Sequence, residues 1–320
     1  MTQLVPTAIT ATITQLELPL PYDLMSVNSY LFEGENGLTI VDTGDMMPGV
    51  KEIWQKIIGD RRVERIVITH GHTDHLGCAN WLRETYNAPI YMYEKTYKRI
   101  ERLRDGLARN AYKNPTDEVF ALYGVEVELP NIDVTIDYAN YVVEPDVIFT
   151  EQTGVMLGDT QYDVLFTPGH SEDHVCFYNE AERVLVVGDH LLEAINPVIL
   201  PTLQFLNPIA PYLASFDLLE KFDVQHVLTG HLTLVSNLRE RVERLRTHYH
   251  KRILQTFEAV ASGNTTLEDV AAYVYASKEG KLGHSMYAQT VAMLHYLAAI
   301  DKILIETAGN VRTFTLPKLS

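Results

Sequence analysis

The residues best suited to chemistry are concentrated at positions 69–77, which read Thr-His-Gly-His-Thr-Asp-His-Leu-Gly. Three of the 12 histidines, His70, His72 and His75, fall here, and Asp74 separates the second from the third. Imidazole and carboxylate groups bind metal ions, and a hydrophobic core gives no reason to gather them. We therefore interpret the stretch as a metal site rather than as a solvated loop in which Asp74 caps a helix.

The spacing of these residues favours two metal ions. His70 and His72 are two positions apart, so on an extended turn both can bind one cation. Asp74 and His75 lie further round the turn and can bind a second cation.

The neighbouring sequence places the motif at the end of a buried strand. Residues 65–69 are apolar and β-branched, which predicts a strand, and a helical pattern begins at Asp74. In open α/β sheets, short loops at the carboxyl ends of strands project side chains into a crevice while the sheet holds them rigidly. We expect the ligands at such an edge.

Further ligand-type residues follow strand-like runs later in the chain. His170, Asp189 and His231 each follow one, and each is preceded by a glycine, which suits a turn that a side chain would crowd. Asp42 follows a similar run and either forms an Asx turn or accepts a hydrogen bond from a ligand histidine. Other strands are predicted at residues 8–18, 29–32, 38–41, 88–92 and 175–178, a hairpin turn at 34–37, and a strand-rich acidic stretch at 131–152.

The composition is that of an ordinary globular protein, with 46% hydrophobic and 21% charged residues among 320. Cys78 and Cys176 are the only cysteines, which gives no disulfide framework and fits a reducing compartment. Cys78 is expected to pack in the core rather than to bind metal. No apolar run reaches the length of a membrane span, and residues 1–11 lack the features of a signal peptide. We expect a cytoplasmic protein with no membrane partner, and a homo-oligomer is compatible with the sequence.

The net charge of −16 disfavours a nucleic-acid partner, although a local basic patch could still bind one. Residues 94–118 differ from the rest because they contain seven basic and five acidic residues. Their apolar positions recur at helical spacing and predict an amphipathic helix that is either a solvated face or a lid. As a lid, it would contact an anionic small-molecule substrate through Lys98, Arg99 and Arg102.

The motif His70-x-His72-x-Asp74-His75, followed by His170, Asp189 and His231, resembles the full ligand set of the metallo-β-lactamase superfamily in its two-metal hydrolase form. The resemblance implies an α/β (α+β) fold over residues 1–233, an αββα sandwich of two mixed sheets with helices outside and a helical insertion at about 94–126. It implies that His70, His72 and His170 hold one metal ion, that Asp74, His75 and His231 hold the other, that Asp189 bridges them and that Asp42 supports the ligands. Lactamases proper usually lack such a bridging aspartate, so the resemblance is to the glyoxalase II, lactonase and nuclease branches.

Residues 234–320 are predicted to form a separate helical domain. Helices are expected at 238–260, after a capping box at 265–268, and at 287–300, followed by a strand at 311–315. This order resembles the winged-helix-like tail of the β-lactamase-like protein 2 group. The run at 167–174 resembles the sequence of the same group. The interval between His75 and His170 is longer than that group usually has, and His190 follows the bridging aspartate where a small residue is common.

The expected chemistry is metal-assisted hydrolysis. Two divalent cations, zinc for preference although iron or manganese would be accommodated, would lower the pKa of the water between them, as a single zinc ion lowers the pKa of its bound water to about 7. The hydroxide would attack a carbonyl or phosphorus centre, with Asp74 as a catalytic group that orients the water. His190, His174 and Tyr30 are candidates for the proton donor, and each is alternatively a buried packing residue.

We expect the substrate to be a small anionic ester or thioester of the acyl-coenzyme A or acyl-glutathione type. A metal-dependent (endo)ribonuclease is the first alternative, favoured by the winged-helix-like tail and opposed by the net charge. A lactonase or a mono-iron dioxygenase is the second, because the sequence does not identify the metal. A binding scaffold without catalysis is disfavoured by the intact ligand set.

Overall fold

The computed structural model describes residues 6–21, 24–127, 136–275 and 282–318. Two β-sheets, a hairpin and the helices around them form the regular structure of these residues. The strands of the first sheet are β1 (Thr7–Ala8), β2 (Ile13–Pro19), β3 (Ser26–Gly34), β4 (Gly37–Val41), β5 (Val63–Ile68), β6 (Ile90–Tyr93) and β7 (Val147–Phe149). Those of the second are β8 (Val155–Leu157), β9 (Thr160–Phe166), β10 (Val175–Asn179), β11 (Val184–Gly188) and β12 (His226–Thr229), and the hairpin pairs β13 (Leu304–Ala308) with β14 (Val311–Thr315).

The helices lie between and after these strands. They are α1 (Val50–Ile58), α2 (Thr73–Leu76), α3 (Ala79–Tyr86), α4 (Glu94–Ala108), α5 (Pro115–Ala121), α6 (Ile209–Leu219), α7 (Leu238–Ala261), α8 (Leu267–Val274) and α9 (His284–Ala299), with a short 3₁₀ helix at Tyr138–Tyr141.

Both large sheets are mixed. The first has the order β1-β2-β3-β4-β5-β6-β7, antiparallel from β1 to β4 and parallel from β4 to β7. The second has the order β12-β11-β10-β9-β8, in which only the β11–β12 pair is parallel. The parallel strands β4, β5, β11 and β12 end near one edge of the molecule, which therefore collects the loops that follow them.

Three hydrophobic clusters fill the spaces between the layers. Residues such as Val67 and Phe177 pack between the two sheets. Trp54 and its neighbours join α1, α3 and α4 to the outer face of the first sheet, and Phe216 belongs to the cluster that joins later helices to the second sheet. Strands β10 and β11 are buried on both faces because each has a sheet on one side and helices on the other. The predicted αββα sandwich is confirmed.

The insertion predicted at about 94–126 contains two helices rather than one. Helix α4 buries Ile100 and Leu107 against the first sheet's outer layer, whereas α5 buries Phe120 in the outer layer of the second. A new helix begins at Pro115 because the side chain of Asn114 accepts a hydrogen bond from the Thr116 amide and proline suits the first helical position. The insertion thus connects the two helical layers.

The stretch predicted as strand-rich at 131–152 differs from that expectation. Residues 131–135 lie outside the described residues, and the rest contains β7 and the 3₁₀ helix Tyr138–Tyr141. Asp137 caps this helix by accepting a hydrogen bond from the Ala139 amide, a local bond that favours a turn over an extended strand.

The C-terminal region contains α7, α8 and α9 followed by the β13–β14 hairpin, which includes the three helices and the final strand expected from the sequence. Helix α8 is capped by Thr266, whose acidic partner is Asp269 rather than Glu268. The hydrophobic cluster of this region also contains Leu185 and Val187 of the second sheet, so one core crosses the predicted domain boundary after residue 233. Across the described residues, none of the helices combines the length and the apolarity that crossing a membrane requires.

Candidate metal centre

The residues singled out at strand ends come together at one edge of the sandwich. His70, His72, His170 and Asp189 form one group, here called the four-residue cluster, and Asp74, His75 and His231 form the three-residue cluster. Within each group the candidate ligand atoms lie within 4.8 Å of one another. The structure therefore brings together all seven residues predicted as metal ligands.

In the four-residue cluster, three ring nitrogens converge. Nδ1 of His72 lies 3.0 Å from Nε2 of His70 and 3.0 Å from Nε2 of His170. Nδ1 of His170 donates a hydrogen bond to the Val198 carbonyl at 2.7 Å, so its Nε2 carries a lone pair when the ring is neutral. Burial lowers the pKa of all three histidines, which keeps them in the neutral form that binds a metal ion.

Hydrogen bonds to the ring nitrogens that face away from the metal centre also orient the histidines of the three-residue cluster. Nδ1 of His75 lies 2.8 Å from Asp42 Oδ2, and Nδ1 of His231 donates to the Ser26 carbonyl at 2.7 Å. The opposite nitrogens, Nε2 of both rings, are buried without a hydrogen-bond partner, as is Oδ1 of Asp189. An unsatisfied buried polar atom costs about 1–3 kcal/mol, and a metal ion bound by these three atoms would offset that cost.

Asp189 lies between the two clusters. Its Oδ1 is 3.4 Å from Nε2 of His75, and its Oδ2 is 3.2 Å from Nε2 of His231 and 3.3 Å from Nε2 of His170. The carboxylate therefore reaches histidines of both groups.

The charges at the centre also fit bound cations. Burial alone lowers the pKa of His231, but the carboxylates of Asp189 and Asp74 outweigh it and raise that pKa to about 10. The pKa of His75 is likewise raised, against the effect of burial, by Asp189, Asp74 and Asp42. Buried carboxylates need positive charge nearby, and a divalent ion supplies it while the histidines stay neutral. The donor set and the charge thus fit metal ions.

Asp42 holds its position through three accepted hydrogen bonds. They come from the amide of Thr69 at 2.9 Å, the hydroxyl of Thr69 at 2.8 Å and Nδ1 of His75 at 2.8 Å. The residue has a φ of +58°, a conformation that costs a non-glycine residue on the order of 1–3 kcal/mol. The hydrogen bond to a ligand histidine expected from the sequence is present.

Two glycines at the strand ends leave room for the centre. A side chain on Gly230 would place its Cβ 2.0 Å from Oδ1 of Asp189, and one on Gly188, at φ +48°, would lie 2.8 Å from Nε2 of His174. The crowding predicted at these turns is therefore real, and substitution at either would displace a residue at the centre.

Asp173 and Arg99 hold the peptide between two ligand histidines. Oδ2 of Asp173 accepts a hydrogen bond from the Gly71 amide at 2.7 Å, and Nη1 of Arg99 donates to the Gly71 carbonyl at 2.5 Å. Nε of Arg99 lies 3.7 Å from Asp173 Oδ1, and both side chains are buried. Sequence analysis missed Asp173, although it lies in the run at 167–174 that carries His170. No sequence signal distinguished it, because a carboxylate in a polar run is typical of an exposed turn.

The predicted substrate-binding residues of α4 separate into two groups. Arg99 is buried and lines a cavity of about 260 Å³ that also contacts His72, Asp74 and His170. Lys98 is exposed and lies 3.5 Å from Glu94, and Arg102 pairs with Glu172. Neither Lys98 nor Arg102 lines this cavity, although Glu172, the partner of Arg102, does.

His190, His174 and Tyr30, the predicted proton donors, lie inside the core rather than in the cavity lining. Nε2 of His190 is bonded to the Ser215 hydroxyl, and Nδ1 of His174 to the Thr167 hydroxyl. The hydroxyl of Tyr30 donates to a backbone carbonyl at 2.7 Å, and burial raises its pKa. These contacts correct the catalytic assignments of His190 and Tyr30, since neither reaches the space where a substrate would bind.

Comparison with known proteins gives a consistent result. A family model described as the metallo-beta-lactamase superfamily matches residues 22–231. A probable metallo-hydrolase of Bacillus subtilis (strain 168) is 26% identical over 218 residues, which are 68% of this chain and 85% of that protein. Hydroxyacylglutathione hydrolase of Francisella tularensis subsp. novicida (strain U112) is 26% identical over 168 residues, 52% of this chain and 47% of that enzyme.

A solved structure resembles the whole described fold. The beta-lactamase domain protein from Burkholderia ambifaria superposes with a TM-score of 0.81 at 24% identity, covering 98% of this chain and 95% of that chain. The similarity therefore includes the C-terminal helices as well as the sandwich.

Proposed function

The chain belongs to the metallo-beta-lactamase superfamily and is a metallo-hydrolase, and from this premise we propose that it uses two metal ions to cleave a small ester or thioester. The observation that carries the two-metal proposal is the position of Asp189, which contacts histidines of both clusters. Zinc is the preferred metal because imidazole nitrogens and carboxylate oxygens are its usual ligands in hydrolases. Divalent cations held there would supply a hydroxide nucleophile at neutral pH and would stabilise the negative charge that develops on the substrate.

The reaction is addition of water to the acyl carbon and cleavage of its bond to oxygen or sulfur, which gives a carboxylate, a proton and an alcohol or thiol. Asp74 lines the cavity, and its carboxyl has a lowered pKa because His75 and His231 outweigh the effect of burial. As a carboxylate it can orient the attacking water by accepting a hydrogen bond from it. Arg99 and Asp173 contribute by fixing the turn between His70 and His72.

A thioester suits the residues around the cavity. A thiolate leaves as a stable anion and needs no proton at that moment, whereas an alkoxide does. His190 and Tyr30 are buried elsewhere, so neither supplies that proton. The similarity to a hydroxyacylglutathione hydrolase supports the same substrate class, over about half of that enzyme's length.

The alternative of a ribonuclease receives little support from the basic residues of the tail. Arg244 lies 3.2 Å from Glu193, and Arg246 lies 2.8 Å from Asp217 and 2.9 Å from Glu220. Cations already paired with carboxylates contribute less to binding phosphates. We therefore propose a small-molecule substrate, and retain the cytoplasm as the proposed location because both cysteines are buried and unpaired.

Metal analysis combined with a substrate panel tests this proposal. Protein purified without chelator should contain two metal ions per chain and hydrolyse thioesters faster than single-stranded RNA. Removal of the metal with a chelator should abolish the activity, and zinc should restore it. One metal ion per chain under metal-replete conditions, or iron-dependent oxygen consumption, would count against a binuclear hydrolase.

A further inference from the structure

We propose that Tyr112, Tyr138 and Tyr141 form a subsite for a neutral aromatic ring carried by the acyl group of the substrate. This inference rests on the proposed function, because the subsite shares its cavity with the metal centre. The same cavity of about 260 Å³ is lined by these tyrosines and by His72, Asp74 and His170.

The three rings form a continuous aromatic surface. The centroids of Tyr112 and Tyr138 are 5.2 Å apart with the planes tilted by 35°, and those of Tyr138 and Tyr141 are 6.1 Å apart at 62°. Tilted and edge-to-face arrangements at these separations are those in which aromatic rings attract one another. A further ring can therefore extend the series without displacing its members.

The surface is anchored at one end and accessible at the other. Tyr141 is buried and donates its hydroxyl to Asp45, and the amide of Tyr138 donates to Asn110 at 2.9 Å. Tyr112 and Tyr138 are only partly buried, so part of each ring still faces the cavity. A bound ring would remove that apolar area from water, which stabilises the complex by about 25 cal/mol for each Å².

The charges around the rings favour a neutral group over an anion. Arg99 is the basic residue of the described lining apart from histidine, and it is occupied by the Gly71 carbonyl and by Asp173. The other lining charges are the acids Asp74 and Glu172. An anionic acyl group would thus find no unpaired cationic side chain among the described residues beside the tyrosines.

A cationic group is disfavoured for a related reason. Glu172 already pairs with Arg102. It therefore offers no unpaired negative charge that would complement an ammonium ion held against the tyrosines.

The test compares thioesters of N-acetylcysteamine that carry phenylacetyl, acetyl or succinyl groups, using the metal-loaded protein. Wild type should prefer the phenylacetyl compound. Tyr138→Ala should lower kcat/KM for it by about 10-fold, mainly through KM, and that for the acetyl compound by less than about 2-fold. Tyr138→Phe should keep the preference, because it retains the ring. Tyr273→Ala, at a tyrosine that is 45% exposed on α8, is the matched control and should change neither value.

Failure of the subsite and failure of the proposed function give different results. If no thioester is cleaved, the proposed function is wrong, and binding of phenylacetamide, a neutral aromatic probe, followed by NMR still tests the subsite. Weaker binding of the probe to Tyr138→Ala than to Tyr138→Phe supports the inference. Equal binding to both, or a wild-type preference for the succinyl compound or for a trimethylammonium-bearing acyl group, overturns it.

Discussion

The turn at residues 70–75 and the loop at residues 192–198 both fix metal-binding histidines, but they are themselves held by different parts of the molecule. The turn is held from within the sandwich by buried charged side chains, with Asp42 bonded to His75 and Asp173 bonded to Gly71. The loop contributes the Val198 carbonyl that orients His170, and its one charged side chain, Glu193, pairs with the exposed Arg244 rather than with a metal-binding residue.

Helix α7 of the C-terminal region supplies the support for the loop. Arg241, which is buried, donates to the carbonyls of Leu192 and Ile195, and the Tyr249 hydroxyl donates to the Pro197 carbonyl at 3.0 Å. The orientation of His170 thus depends on helix α7, which contains none of the seven candidate ligands. The C-terminal helices therefore support the metal centre in addition to sharing a hydrophobic core with the second sheet.

The largest effect is expected from replacing Asp189, whose carboxylate lies beside His75 of the turn and beside His170, which the loop orients. Asp189→Ala should lower metal content and activity by more than about 100-fold, since loss of a supporting partner alone costs 10–100-fold in similar sites. The fold should persist because apolar strands hold the sheets together. Elemental analysis, hydrolysis rates and thermal melting followed by circular dichroism measure the three quantities.

Asp163→Ala provides the control for that variant, because Asp163 is an exposed carboxylate on β9. It should retain full metal content. Equal and full occupancy in the Asp189 variant would show that this carboxylate is not shared between the clusters.

Asp42→Asn tests the support of the turn. Asparagine tolerates the positive φ of this position, so the backbone is preserved while the charged acceptor for His75 is lost. We expect metal affinity to fall by about 10–100-fold, with the weaker binding step assigned to the three-residue cluster. Chelator competition with cobalt(II) as the spectroscopic probe would resolve the two steps. Unchanged affinity at both steps would mean that Asp42 serves only the fold.

Arg241→Ala tests the support of the loop. The substitution leaves two backbone carbonyls without their donor, each worth about 1–3 kcal/mol when buried, and it loosens the segment that ends at Val198. Metal affinity should fall by about 10-fold, now at the four-residue cluster that contains His170. The same cobalt(II) titration distinguishes this variant from Asp42→Asn, because the two substitutions weaken the binding steps of different clusters.

Arg244→Ala is the matched control on α7, because Arg244 is exposed and forms its ion pair with the Glu193 side chain of the same loop. It should bind metal as wild type does, since exposed ion pairs contribute about 0–1 kcal/mol. If Arg241→Ala lowers thermal stability but leaves both cobalt(II) steps unchanged, the helix supports only the fold.

The ligands could be predicted from the sequence because each follows an apolar strand, and strand ends in such a sheet meet at one edge. His170, Asp189 and His231 are far apart in the chain, yet their local contexts are alike. Asp42 was recognisable for the same reason. Several strands followed from these patterns, whereas their arrangement in two mixed sheets followed from the family resemblance.

The supports of the centre could not be predicted, because they depend on contacts between distant residues. Asp173 stands in a polar run that is typical of an exposed turn, and only its contact with Gly71 shows why it is buried. Sequence alone likewise gave no means of deciding whether His190 and Tyr30 face the cavity or the core. Their neighbours, Ser215 and Thr229, come from elements far along the chain.

The smallest predicted effect concerns Lys98 and Arg99, two adjacent residues of α4 that were both predicted to contact the substrate. Lys98 has 63% of its side chain exposed and pairs with Glu94 one helical turn away, whereas the Arg99 side chain is 9% exposed and contacts the turn. Lys98→Glu should change KM for any thioester by less than about 2-fold, because exposed charges are screened within about 10 Å at 0.1 M salt. Arg99→Lys keeps the positive charge but loses the planar guanidinium, which donates to the Gly71 carbonyl and lies beside Asp173. This variant should therefore bind metal more weakly even at high salt. A salt-sensitive rise of KM for the succinyl thioester in Lys98→Glu would instead restore the hypothesis of a basic lid, and would reveal that α4 acts on the substrate and not only on the metal-binding turn.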